Sequence, residues 1–215
     1  MTATPGRTPI RTMNKIRSIC VYCGSSPGRS DVYADTGYAL GRSIAEAGLR
    51  LIYGGGTRGI MGAVALGAIE AGGKVTGIIP RFLMNKEATE AALGRLDDLI
   101  VTEDMHERKH AMFEQSDAFV ALPGGIGTLE EIVEVMTWAQ LGRHRKPIVF
   151  ANVEGFWNPM LTLLDHMRAE GFVHTSHLVQ PLVIDKPQAI VAAVLAEAAS
   201  DGIPSEGDPR IIDRL

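Results

Sequence analysis

Three times in this chain a short apolar run breaks into glycines and then into a helical pattern, and that recurrence restricts the fold more than any other property. Ile19 to Tyr22 runs into Gly24-Ser25-Ser26, Leu49 to Tyr53 into Gly54-Gly55-Gly56-Thr57-Arg58-Gly59, and Ala118 to Leu122 into Pro123-Gly124-Gly125-Ile126-Gly127-Thr128. Further short apolar runs at Val75–Ile79, Leu99–Thr102 and Ile148–Ala151, with an edge at Leu182–Ile184, alternate with helical stretches near 107–115, 129–141, 157–169 and 187–198. Unbroken apolar runs read as strands buried on both sides, and their alternation with helices implies right-handed crossovers. The expected class is α/β: a Rossmann-like, doubly wound parallel sheet with helices on both faces, in a single domain. Ligands of such sheets sit beyond the carboxyl ends of the strands. The segment from Pro80 to Asp98 falls outside the alternation and reads as a helix or lid.

The 215 residues fit one domain, expected over 16–199, with a disordered lead-in over 1–15 and a C-terminal tail over 200–215. A hydrophobic fraction of 46% without a run long enough to cross a bilayer points to a soluble, cytoplasmic protein that makes no membrane contact. The formal net charge of −4 leaves no basic stripe for a phosphodiester backbone, so a nucleic-acid partner is not expected. Cys20 and Cys23 are spaced C-x-x-C, but a strand puts residues three apart on opposite faces. No second pair completes a zinc site, so they read as buried structural thiols.

Glycines after a strand let backbone N–H groups face a ligand, and the helix that follows adds partial positive charge. Gly24 and Ser25, Gly55 and Gly56, and the stretch Gly124, Gly125, Ile126, Gly127, Thr128 are therefore candidates for one phosphate pocket at a shared sheet edge. Gly54, Gly56 and Gly59 also match G-x-G-x-x-G, which raises a dinucleotide reading. That reading expects an acidic residue about 20 positions on, where the chain has Ile79-Pro80-Arg81, and it expects the first strand, not the second. A mononucleotide fits better.

Thr128 and Glu131 form T-x-x-E at a helix start, so Glu131 is expected to cap the Thr128 amide, to act on a ligand, or both. Glu130 and Glu134 are one turn apart with Thr137 near the same face. Asp104 and Glu107 suggest a second cap, on a helix that carries Arg108 and Lys109 about 100° apart, so that one basic group faces a pocket and the other clamps a neighbouring oxygen. His106 and His110 are one turn apart, but no further Cys or carboxylate completes a metal set, and no metal is expected.

With Pro123-Gly124-Gly125-Ile126-Gly127-Thr128-Leu129-Glu130-Glu131 and Met105-His106-Glu107-Arg108-Lys109 both in view, the chain resembles the LONELY GUY (LOG) family of cytokinin-activating phosphoribohydrolases, often labelled lysine decarboxylase-like. Cys23-Gly24-Ser25-Ser26, Tyr53-Gly54-Gly55-Gly56, Gly77-Ile78-Ile79-Pro80 and Thr137-Trp138-Ala139-Gln140 extend the likeness over roughly residues 16 to 198. The resemblance implies hydrolysis of cytokinin riboside 5′-monophosphate, and of adenosine monophosphate, to free base and ribose 5-phosphate, by a homodimer without metal or organic cofactor. It implies catalytic roles for Arg108 and Glu131, nucleotide binding by Lys109 and by Gly124 to Glu130, Leu129 included, and substrate positions for Glu87 and Thr137. Residue 126, often aromatic in relatives, is Ile here. The loop pattern also resembles molybdenum cofactor carrier proteins, which gives a non-catalytic nucleotide or cofactor carrier as the alternative. Lysine decarboxylation would call for pyridoxal phosphate on a lysine, and none of the six lysines from Lys15 to Lys186 has that context.

Overall fold

The computed structural model describes residues 16–173 and 180–200; the lead-in over 1–15 and, apart from Ser200, the expected tail lie outside them. Seven strands form one sheet: β1 Ser18–Tyr22, β2 Arg50–Tyr53, β3 Val75–Pro80, β4 Asp98–Thr102, β5 Ala118–Ala121, β6 Ile148–Ala151 and β7 Leu182–Ile184. Their order is β4-β3-β2-β1-β5-β6-β7, and every neighbouring pair is parallel. All residues of β1, β3, β5 and β6 are buried, which is why those strands read as unbroken apolar runs, whereas the edge strands β4 and β7 are partly exposed.

Helices cover both faces, so the sheet is doubly wound. On one side α1 (Asp31–Glu46), α2 (Gly59–Glu70) and α8 (Pro187–Ser200) pack on Val21, Leu51 and Tyr53; on the other α5 (Met105–Glu114), α6 (Ile126–Gln140) and α7 (Asn158–Ala169) pack on Cys20, Ile52 and Phe119. Cys20 and Cys23 fall in these two different cores, as the strand periodicity requires. Burial pushes the Cys20 thiol up to about 12 and raises that of Cys23, so neither is a ready thiolate.

The chain winds outward from β1 to β4, then returns to place β5 on the other side of β1. The switch in direction lies between β1 and β5, the point at which sheets of this kind take their ligands, beyond the carboxyl ends. There the Gly24 amide donates to the Pro123 carbonyl at 3.1 Å, joining the first glycine loop to the third. The segment after β3 forms two short helices, α3 (Arg81–Glu87) and α4 (Glu90–Leu93). Its middle is tied to the second loop, because the Thr57 amide donates to the Glu87 carbonyl at 2.8 Å.

Candidate active site

The three glycine loops meet, but they are not equivalent. At the start of α2 the amides of Ile60 and Met61 donate to the Gly24 carbonyl at 3.1 and 3.2 Å, so that helix spends its first donors on holding loop to loop. Gly59, with φ of +58°, lies where a Cβ would come within 2.5 Å of the Ser25 carbonyl, and Ser25 itself is exposed. Gly55 and Gly56 are buried, their faces turned to Ile79 and Met61. The third loop differs. Gly125 is the N-cap of α6, no side chain caps that helix, and Gly125, Ile126 and Gly127 are exposed. A Cβ on Gly125 or Gly127 would meet nothing within 4 Å, so backbone N–H groups there are open to an anion carried by the helix dipole. Gly124 is needed for a different reason: a Cβ there would collide with the Thr128 side chain and lie 2.9 Å from the Gly24 amide.

The α6 helix begins three residues before the expected Leu129, and this overturns the capping reading of Glu131. With Gly125 as N-cap, Thr128 is the third helical residue with its amide still free of an intrahelical partner, and Glu131, in the second turn, does not turn back to it. Its carboxylate instead faces Arg108, with Oε1 3.2 Å from Nη1, and the two side chains are only 8% exposed. The other expected cap is formed, with Asp104 Oδ1 accepting from the Glu107 amide at 2.9 Å. It starts α5 so that Arg108 points into the protein.

Arg108 is held from several sides. Its Nε donates to the Ile78 carbonyl in the second half of β3 at 3.3 Å, and Nη1 lies 3.8 Å from the Met105 sulfur. Burial dominates at Glu131 and pushes its carboxyl up from 4.5 to about 7; Arg108 and Lys109 oppose the rise, while Glu130 and Glu87 add to it. A carboxyl that titrates near neutrality is suited to acid/base work.

Lys109, one residue on, turns the other way, as a 100° step demands. Its ammonium donates to Glu130 Oε1 at 2.5 Å and to Glu134 Oε1 at 3.2 Å, bridging α5 to the outer face of α6. Burial pulls this amine down, but the hydrogen bonds to Glu130 and Glu134 outweigh it and leave it raised and cationic. Leu129 packs on the second core, and the Thr137 hydroxyl, exposed two turns beyond Glu130, donates to the Val133 carbonyl at 2.8 Å. A cavity of about 330 Å³ between α5 and α6 is lined by His106, Glu107, Lys109, His110, Glu134 and Trp138. It shares Lys109 with the carboxylate cluster but includes neither Arg108 nor Glu131. Among the described residues no three His, Cys, Asp or Glu side chains are grouped to hold a metal ion, and no helix is long and apolar enough to cross a membrane.

Three participants stand in the quoted motifs without having been given a role by the sequence reading: Gly54 beside Arg108, the Ile78 carbonyl and Met105. The first has an ordinary glycine's signature, and the second is backbone, so neither carries a side-chain signal.

A parallel sheet wound in both directions, with an uncapped helix start after β5 and a buried Arg–Glu pair, defines a Rossmann-like protein, a class whose ligands bind beyond the carboxyl ends of the strands. Within that class the chain belongs to the LOG family, whose model, described as "Possible lysine decarboxylase", matches residues 61–194. It is 47% identical over 163 residues to the cytokinin riboside 5′-monophosphate phosphoribohydrolase LOG5 of Arabidopsis thaliana, covering 76% of this chain and 70% of that protein. To LOG7 of the same plant it is 43% identical over 178 residues, covering 83% and 80%. Among solved structures it is similar to the molybdenum cofactor carrier protein of Chlamydomonas reinhardtii, with a TM-score of 0.64, 25% identity, and coverage of 86% of this chain and 99% of that one. The molybdenum cofactor binding protein of Rippkaea orientalis shares the fold at a TM-score of 0.63 and 21% identity, over 85% and 98% of the two chains.

Proposed function

We propose that this chain hydrolyses the N-glycosidic bond of cytokinin riboside 5′-monophosphate, and of adenosine monophosphate, giving free base and ribose 5-phosphate. The observation that carries the reading is the buried Arg108–Glu131 pair beside the open N-terminus of α6. The phosphate sits on the amides of the Gly124 to Thr128 turn, with Lys109 as its cation; Gly24, Ser25, Gly55, Gly56, Leu129, Glu130, Glu87 and Thr137 complete the substrate surround. As the bond from C1′ to the base nitrogen breaks, its electron pair leaves with the base and positive charge builds on the ribose. Ionised Glu131 stabilises that charge and orients water, whose oxygen joins C1′ while one proton goes to the base. Arg108 holds Glu131 in the geometry for attack and supplies fixed positive charge near the departing base.

The chain acts in the cytoplasm as a homodimer on this reading. Exposed Ile126 and Val133 on α6, with Leu141 at its C-cap, support the dimer if a partner covers them. Incubation with adenosine monophosphate and with isopentenyladenosine monophosphate, followed by chromatography, should yield free base from at least one. Tight binding of either without base release would favour the carrier alternative and refute the hydrolase.

A further inference from the structure

Arg108 owes its seat to a side chain that is missing. A Cβ built on Gly54 would collide with Arg108 Nη2, while on its other flank it would stand 3.3 Å from the Met61 sulfur. Gly54 is not required by backbone conformation: Gly55 and Gly59 have positive φ, at +74° and +58°, and Gly54 does not. The backbone just after β2 is thus free to carry alanine; the guanidinium excludes it, with the Met61 sulfur a tight second neighbour that can give by a few tenths of an ångström.

We infer that Gly54 is a positioning residue for the proposed reaction: its bare Cα forms the slot that keeps the Arg108 guanidinium against Glu131. The colliding atom is the far end of a long side chain, so a methyl group at residue 54 displaces Arg108 before it displaces the sheet. Arg108 then gives up the Ile78 carbonyl, the Glu131 carboxylate, or both. The ionisable groups whose charge influences Glu131, or which it influences, are Arg108 and Lys109 from α5, Glu87 from α3, Glu130 from its own helix, and Cys20, Tyr22 and Cys23 from β1 and its end. Of these, Arg108 is the strongest influence favouring the ionised form. Moving it away raises the Glu131 carboxyl further above its native value.

The inference rests on the hydrolase reading only for its kinetic arm. The test takes Gly54→Ala, Arg108→Ala and the double variant in the full chain. It measures thermal midpoint, kcat and KM on the released base, and the titration of Glu131 by carbonyl ¹³C NMR, its signal assigned by its loss in Glu131→Gln. Gly54→Ala should stay folded with a lowered thermal midpoint, because a buried ion pair is disturbed, lose about 10² in kcat from misplacement of the catalytic group, and shift the Glu131 titration to higher pH. In the Arg108→Ala background the same methyl should change neither rate nor titration. If the single variant does not fold, recovery of folding in the double variant identifies the slot, and failure of both overturns it. An unmoved Glu131 titration in folded Gly54→Ala, or equal rate losses with and without Arg108, overturns it as well. A wild-type protein that releases no base sinks the proposed hydrolase alone, because the titration still decides the role of Gly54.

Discussion

Replacing Glu131 with Gln should make the protein more stable and less active, with the gain in stability confined to neutral and alkaline pH. The Glu131 carboxyl is lifted from 4.5 to about 7 chiefly by burial, with Arg108 only partly offsetting it. A folded chain that holds a proton more tightly than the unfolded one loses stability as pH rises from about 4.5 through 7. At about 1.4 kcal/mol for each pH unit, the ionised carboxylate costs roughly 3 kcal/mol above pH 7 and nothing below pH 4.5. Glutamine is isosteric with the protonated form and escapes that cost. In a chain of this length the difference is roughly 6 to 12 °C in thermal midpoint. Calorimetry at pH 5 and pH 8 should show the variant and wild type close together at the lower pH and separated in favour of Gln at the higher, while base release falls by about 10² to 10⁴. A separation of equal size at both pH values would show that Glu131 ionises as an exposed carboxylate does, and the case for it as a neutral-range acid/base group would fail.

Other perturbations follow from the same geometry. Lys109→Met removes the charge shared by Glu130 and Glu134, so KM for a nucleoside monophosphate should rise at least about tenfold, as charge-assisted contacts contribute on the order of 1.5 to 3 kcal/mol, and its dependence on salt should weaken; an unchanged KM would remove Lys109 from the phosphate site. Gly127→Ala adds a methyl that meets no protein atom, so the thermal midpoint should not fall while KM rises; a fall in stability with KM unchanged would mean the turn does not face the ligand. Wild-type kcat/KM should climb with pH to a plateau above about 7, as Glu131 ionises, and a flat profile between pH 5 and 8 would argue against an ionised Glu131 as the working form. The native thiols of Cys20 and Cys23 should resist a water-soluble disulfide reagent at pH 8 and react only on unfolding; rapid labelling of the folded protein would contradict their burial.

The doubly wound sheet was legible because its central strands are buried on both faces, which leaves their sequences without polar interruption. The start of α6 was not, because Gly125, Ile126 and Gly127 read as turn while the helix begins among them. That three-residue displacement decides the fate of Glu131: the same T-x-x-E that suggests a cap at the first turn points a carboxylate at α5 when the helix starts earlier. The divergence of Arg108 from Lys109 follows from helix geometry alone, yet which of them turns inward depends on the Asp104 cap and on the space over Gly54. Equivalence of the three loops was also illegible, since pattern cannot show that the α2 amides are consumed by Gly24 and the α6 amides are not.

This inequality of helix starts bears on how one site can hold two negative groups. A bound phosphate carries charge close to Glu131, and its field alone would push that carboxyl still further from ionisation, against the needs of the proposed chemistry. Two features oppose this. On the proposed reading the open first turn of α6 adds partial positive charge between the phosphate and Glu131, in the same helix that carries the carboxylate. Lys109, already cationic between Glu130 and Glu134, can exchange the exposed Glu130 for phosphate oxygen without leaving its seat, because Glu134 still holds it. On the proposed reading the arrangement separates the tasks: Lys109 and the α6 amides for the phosphate, Arg108 for the carboxylate. On that division, salt should weaken binding more than it slows the chemical step.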